Sequence, residues 1–182
     1  MKRCHWLDTS KAYYVEYHDK EWGVPVYDDQ VFFEFLILES AQAGLSWYTI
    51  LKRREGYREA FANFDPQKVS TFDEQKVEQL LQNTGIIRHR AKIESAINNA
   101  KRFIEIQQEF GSFSDYIWRF VDGEVVNNRN REEYPAATTQ QSDALSKDLK
   151  KRGFKFVGST TMYAFMQAMG LVNDHDEDCI CR

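Results

Sequence analysis

Hydrophobic residues along this chain recur at three- and four-residue intervals, and polar residues cluster where helices would begin and end. The most apolar run is Val31-Phe32-Phe33-Glu34-Phe35-Leu36-Ile37-Leu38-Glu39. Asp28 or Asp29 can cap it, and Gly44 closes a helix reaching about Ala43. Ser46 predicts the next start, with Trp47, Ile50, Leu51 and Phe61 facing inward. Asp65-Pro66 is an N-cap followed by proline at the first helical position. Asp73 opens a helix carrying Val77, Leu80 and Leu81 that stops at Asn83-Thr84-Gly85. A long helix follows on Ile93, Ala96, Ile97, Ala100 and Ile104 and ends at Gly111. Shorter helices are expected from Ser114, from Ser142 to Gly153 and from Ser159 to Gly170, each with a serine cap. No segment alternates with the period of a strand, and Val125 to Gln141, with Asn127-Asn128 and Pro135, reads as a surface loop. The expected fold is all-α, in one domain over 1–182.

Glu39 breaks the apolar pattern. Phe32, Phe35, Leu36 and Glu39 fall at i, i+3, i+4 and i+7, so they share one helix face. A lone carboxylate there costs several kcal/mol, on the order of the buried-polar penalty, unless it has a partner. That partner is a helix N-terminus, a buried hydroxyl or a ligand. Trp47 lies downstream, and Trp6, Tyr17 and Trp22 lie upstream. A buried acid amid aromatics suits a pocket for a flat, polar or cationic molecule. Each aromatic is equally a packing residue, and Glu39 is the hardest to place in a core.

The 182 residues carry a net charge of −4, which gives no global reason to expect nucleic acid. The local distribution differs. Arg88 to Arg102 holds Arg88, Arg90, Lys92, Lys101 and Arg102 against Glu94, and two further basic clusters span Lys52 to Arg58 and Lys147 to Lys155. Such patches bind phosphates, and each is also what a solvated helix face looks like. No apolar run reaches membrane-spanning length, and the start of the chain has no apolar signal region, so a soluble, cytoplasmic protein without membrane association is expected.

Two short constellations carry further chemistry. In Asn83-Thr84-Gly85-Ile86-Ile87-Arg88-His89-Arg90-x-Lys92, Gly85 is expected to adopt the left-handed conformation that closes one helix. The next helix then starts with free amides beside Arg88, Arg90 and Lys92, an arrangement that holds a DNA strand by its phosphates. His89 is either a phosphate contact or an exposed turn residue. At the ends of the chain, Cys4 and His18 with His175-x-x-x-Cys179 could supply four zinc ligands and tie the termini together. Cys181 competes with Cys179, and three inert cysteines near the termini are the alternative.

With these pieces assembled, the chain resembles the bacterial DNA-3-methyladenine glycosylase I family, within the helix-hairpin-helix glycosylases. The matching residues include Arg3-Cys4-x-Trp6, Tyr17-His18-Asp19-x-Glu21-Trp22-Gly23-Val24-Pro25, Glu39-x-x-Gln42-Ala43-Gly44-Leu45-Ser46-Trp47, Gly85-Ile86-Ile87-Arg88-His89-Arg90-x-Lys92-Ile93, Lys151-Arg152-Gly153-Phe154-Lys155-Phe156-Val157-Gly158 and Gly170-Leu171-Val172-Asn173-Asp174-His175. The resemblance implies a two-lobed helical fold with a helix-hairpin-helix near 73–104. It implies a catalytic base pocket of Glu39, Tyr17 and Trp47, with Trp6 and Trp22 nearby. It implies a structural zinc on Cys4, His18, His175 and Cys179, and no catalytic cofactor. A loop at Gln42, Ala43, Gly44 and Leu45 would wedge into DNA beside the hairpin residues Gly85, Ile86, Arg88, His89, Arg90 and Lys92. The chain stops at Arg182, slightly earlier than the family is expected to run, which leaves Cys181 without a role.

The implied reaction is hydrolysis of the N-glycosidic bond of N3-methyladenine in double-stranded alkylated DNA by a monomeric, monofunctional enzyme, with 3-methyladenine as product. The base would leave the stack to be reached. Methylation makes it a cation and a good leaving group, which suits Trp47 as a stacking surface. Glu39 would accept from the N6 amino edge, and Tyr17 would add a second polar contact. Rival readings are a non-catalytic helix-hairpin-helix DNA-binding module, a zinc-stapled interaction protein, and a glycosylase of altered base preference.

Overall fold

The computed structural model describes residues 1–128 and 136–182. Among these, ten α-helices carry the fold: α1 (Ala12–Lys20), α2 (Asp29–Ala41), α3 (Trp47–Lys52), α4 (Arg54–Ala60), α5 (Pro66–Val69), α6 (Glu74–Leu81), α7 (Arg90–Phe110), α8 (Phe113–Ile117), α9 (Gln140–Lys151) and α10 (Ser159–Ala168). One exception to the all-helical expectation is a parallel pair of β1 (Val126–Asn127) and β2 (Val172–Asn173). Two residues per strand leave no alternation for a sequence pattern to reveal. Strand β1 falls inside the expected loop Val125 to Gln141, and β2 follows α10; residues 129–135 of that loop lie outside the described residues.

Helix α2 is the axis of the molecule. It is buried continuously from Phe32 to Ala41. The face shared by Phe32, Phe35, Leu36 and Glu39 is therefore one side of a helix enclosed all round. Asp28 caps it by accepting from Gln30 N and Val31 N, and Asp29 turns outward to accept from Phe113 N and Ser114 N at 2.9 Å. A carboxylate thus satisfies the first amides of α8, and Ser112, rather than Ser114, is that helix's cap. Phe103 stacks on Phe113 at 4.3 Å, and Phe32 meets Phe113 and Phe165, so α7, α8 and α10 close around α2.

Several other starts shift for the same reason, that a neighbouring polar side chain competes for the cap. Thr139, not Ser142, caps α9 in a reciprocal capping box with Ser142. Helix α10 is preceded by Gly158, which has no side chain to cap it, and the expected cap Ser159 lies inside the helix with its Oγ engaged with Asp143 and Ser142. Helix α2 ends at Ala41, and Gln42 to Leu45 form a turn in which Gly44 has φ +80°. Helix α1 had no expected counterpart in the sequence pattern.

Gly85 lies against Gly56 instead of adopting the expected left-handed conformation. Its φ is not positive; a Cβ there would sit 3.4 Å from the Gly56 Cα, and one on Gly56 would lie 2.2 Å from the Gly85 carbonyl oxygen. The turn between α6 and α7 packs backbone to backbone on α4, which only glycine permits at Gly56.

Candidate active site and metal centre

Glu39 lines a hollow of about 220 Å³ with Trp6, Tyr14, Tyr17, Trp22, Gln42, Trp47, Ala164 and Gln167. The hollow is smaller than the roughly 300–1,000 Å³ of drug-sized ligand sites and matches a single flat ring system. Helix α1 brings in Tyr14 and Tyr17 one turn apart. The Ser46 cap sets Trp47 at the first position of α3, with its ring 5.8 Å from that of Tyr17. Tyr17 stacks on Phe35 behind it, and Trp6 meets Trp22 edge-on at 4.9 Å. Tyr14, Ala164 and Gln167 were not anticipated. The spacing of Tyr14, Tyr17 and His18 was the available signal for α1, masked by the polar residues around it.

Two buried carboxylates on α2 make an instructive contrast. Glu34 accepts from Arg54 Nε at 2.6 Å and lies 3.3 Å from the Arg58 guanidinium. Glu39 is 4 % exposed, yet no hydrogen bond or ion pair reaches its carboxylate among the described residues. Desolvation alone pushes its pKa up to about 8. Beside it the Tyr17 hydroxyl is buried with no hydrogen-bond partner, and burial together with the Glu39 charge holds its pKa well above the ordinary phenol value. Unsatisfied buried polar groups are rare and expensive, so a partnerless buried hydroxyl beside a carboxylate without a hydrogen bond, both lining one small hollow, make it a candidate ligand site. A larger groove of about 780 Å³ runs by Phe110, Tyr116 and Arg152. Its polar groups satisfy one another: Arg152 pairs with Glu109 and Asp148, and Tyr116 donates to Asp148.

Cys4, His18, His175 and Cys179 converge in a second, fully buried cluster. Cys4 Sγ and Cys179 Sγ lie 3.4 and 3.5 Å from His175 Nδ1, and Cys179 Sγ lies 3.6 Å from His18 Nε2. A tetrahedral ion with ordinary zinc bond lengths places sulfur and nitrogen ligands about 3.6 Å apart, so the set fits Zn²⁺. The supporting contacts fit as well. His18 Nδ1 faces Asp19 at 2.8 Å, Asp19 is held by Arg3, and His175 Nε2 faces the Trp22 carbonyl at 3.0 Å. These orient both imidazoles for metal binding. The Asp176 amide donates to Cys4 Sγ and the Cys181 amide to Cys179 Sγ, as thiolates require. The termini are joined here, with Ile180 N donating to the Lys2 carbonyl. Cys181 lies outside the tetrad, beside Asp19. The cluster also adjoins the hollow: Trp22 stacks against His18 and meets His175 edge-on, and Trp6 packs on His18.

The remaining sequence-selected residues gather at the C-terminal end of α2. Lys92 Nζ donates to the Ala41 and Ala43 carbonyls at 2.9 and 2.8 Å, fastening the turn Gln42–Leu45 to α7. Leu45 is exposed on that turn. His89 caps α7, its Nδ1 accepting from Lys92 N. Arg88 is exposed. Besides Lys92, two residues differ from the expected DNA-facing hairpin. Arg90 is paired with Glu74, Glu78 and Glu94, so its charge is largely compensated, and the Ile86 side chain is buried. The sequence count omitted Glu74 and Glu78 because they lie a helix away.

A family model described as methyladenine glycosylase matches residues 6–182. A protein from Escherichia coli K12 named DNA-3-methyladenine glycosylase 1 is 51% identical to this chain, covering 100% of it and 97% of the relative. A crystal structure of a 3-methyladenine DNA glycosylase I superposes with a TM-score of 0.95 at 50% identity, over the whole of both chains. A Staphylococcus aureus 3-methyladenine DNA glycosylase I, from a study of the structural basis of its 3-methyladenine recognition, gives a TM-score of 0.91 at 40% identity, covering 95% of this chain and 93% of that one.

Proposed function

The chain belongs to the methyladenine glycosylase family and is a glycosylase hydrolase, and on that premise we propose that it excises N3-methyladenine from double-stranded alkylated DNA, releasing the free base and leaving an abasic site. The observation that carries this reading is the pairing of an unpartnered Glu39 with an unpartnered Tyr17 hydroxyl inside an aromatic hollow the size of one base. A glycosidic bond is inaccessible within the stack, so the base swings out into that hollow. Adenine offers an exocyclic amino group there, a donor that Glu39 accepts; guanine presents a carbonyl oxygen, which a carboxylate repels. The methylated base carries a positive charge until its bond to the sugar breaks. Trp47 holds it by its ring face, and the entering cation favours the ionised form of Glu39, whose charge then prefers the cation to the neutral bases around it. The leaving group departs as a neutral base, so a strong general acid is unnecessary. Among the described residues the hollow is lined by aromatic, amide and carboxylate side chains and Ala164, and the proposed reaction is hydrolysis by water without a covalent amine intermediate.

The four buried ligands Cys4, His18, His175 and Cys179 would hold Zn²⁺ with no position left for water, so the ion would act as a structural tie. It would fix the Trp6 and Trp22 wall of the pocket. The turn Gln42–Leu45 and the backbone of the Gly85–His89 turn, a helix-hairpin-helix with α6 and α7, would face the duplex. Arg88 would supply phosphate charge there. Titrating 3-methyladenine into the protein and following tryptophan fluorescence tests the pocket. Wild-type protein is expected to saturate, and Glu39→Gln and Tyr17→Phe to bind at least tenfold more weakly; unchanged affinity in both variants would refute the assignment.

A further inference from the structure

Phe156 has φ +55°, a left-handed conformation that is a genuine outlier for a bulky residue other than glycine. Such strain persists only where the surroundings impose it. Here they do. Asn99, buried on α7, brackets the preceding residue, donating to the Lys155 carbonyl at 3.0 Å and accepting from Lys155 N at 2.9 Å. Ser40, buried on α2 next to Glu39, donates to the Phe156 carbonyl. Ser146 Oγ takes the Val157 carbonyl at 2.7 Å. All this bracing holds an aromatic side chain that is 38% exposed.

The position of this loop in the fold identifies what it faces. Phe32, near the start of α2, meets Phe165 of α10, whereas Ser40, near the end of α2, meets the loop before α10. The two helices therefore run antiparallel, and Phe156 lies at the C-terminal end of α2. The turn Gln42–Leu45 starts at that same end, and Lys92 fastens it there from α7, the helix that also carries Asn99. Two exposed apolar side chains, Leu45 and Phe156, are thus carried on separately braced loops at the end of α2 that bears Glu39, with exposed Lys155 beside the second.

We infer that Phe156 is a second duplex-contacting residue, which enters or abuts the base stack beside the vacated position while the Leu45 turn acts from its own side. The inference rests on the proposed action on duplex DNA. Strain held in place by buried side chains supplies a pre-positioned ring, so no ordering cost is met when DNA binds. Through Ser40, the ring's backbone is linked to the helical turn that bears Glu39. Stacking a base on an aromatic side chain contributes enough that its removal weakens binding by about tenfold or more.

The test compares wild type, Phe156→Gly, Phe156→Ala and Phe156→Trp. Glycine relieves the strained backbone, so Phe156→Gly is expected to unfold at no lower temperature than wild type. Its affinity for a duplex containing a stable abasic-site analogue, measured by fluorescence anisotropy, is expected to fall about tenfold, and Phe156→Ala to behave alike. Phe156→Trp is expected to keep wild-type duplex affinity. Binding of free 3-methyladenine should be unchanged in all three. Duplex affinity within twofold of wild type in both Phe156→Gly and Phe156→Ala would overturn the inference, as would an equal loss of free-base binding. Failure of wild type itself to bind the free base would refute the pocket reading without touching the anisotropy result.

Discussion

The carboxyl of Glu39 is buried at 4 % exposure without a hydrogen-bond or ion-pair partner among the described residues, and the proposed chemistry turns on it. Its pKa rises from an ordinary 4.5 to about 8 through burial, so the folded protein holds a proton there that the unfolded chain releases. The sign of the linkage follows. This group's contribution to stability is most favourable below about pH 4.5 and is lost as pH rises toward 8, on the order of a few kcal/mol across that window. Glu39→Gln removes the titration. Its melting temperature is expected to exceed wild type, by a margin that grows from pH 5 to pH 8; equal melting temperatures at pH 8 would contradict a desolvated, unpartnered acid. The same shift has a kinetic consequence. The ionised form favours a cationic base, so kcat/KM on alkylated DNA should rise with pH through a limb near 8 that Glu39→Gln lacks. Tyr17→Phe removes a buried hydroxyl without a partner and is expected to leave stability unchanged or raised while weakening base binding. Glu39 was legible from sequence because an acid at i+7 on an apolar face has few structural uses. Glu34 shows the limit of that argument: it is equally buried in the same run, and only its contacts with Arg54 and Arg58, distant in sequence, separate the two.

At the scale of elements, the site depends on how the end of α2 is fastened. Lys92 ties the Gln42–Leu45 turn to α7 through two carbonyls, and its position in the hairpin sequence suggested a phosphate contact instead. A donor to backbone carbonyls leaves no mark in sequence, whereas a lysine near a helix start does. Lys92→Met, which keeps the aliphatic stem, is expected to lower excision from duplex DNA severalfold while leaving free-base binding intact. A matching loss of both would place Lys92 in the pocket rather than on the turn. Gly56→Ala tests the other fastening. Its Cβ would collide with the Gly85 carbonyl, and a loss of roughly 1–3 kcal/mol in unfolding free energy is expected from overpacking. Helix starts were legible wherever a single side chain could cap, as at Asp28, Ser46, Asp65 and Asp73. They were shifted where two polar residues competed, as at Ser112 against Ser114 and Thr139 against Ser142.

Across the whole molecule, the joined chain ends adjoin the aromatic hollow. The Cys4, His18, His175 and Cys179 cluster abuts Trp22 and Trp6, so a metal there would brace both the termini and the pocket wall. Purified protein is expected to carry about one zinc per chain, and removing it with a chelator to lower the melting temperature and perturb tryptophan fluorescence; metal-free protein of unchanged stability would contradict this. The helical class was legible because caps are local signals, and the cysteine–histidine pairs at the two ends pointed to the residues that folding gathers into one buried group. The β1–β2 pair and the meeting of α1 with the pocket were not, since both depend on segments joined only by folding. If an unpartnered acid in an aromatic hollow selects a methylated adenine, it does so in the release of free base from N-methylated duplex DNA, identified by chromatography and compared between wild type and Glu39→Gln. Wild type is expected to release 3-methyladenine and the variant far less; equal release by both proteins, or guanine derivatives as the main product, would refute selection by Glu39.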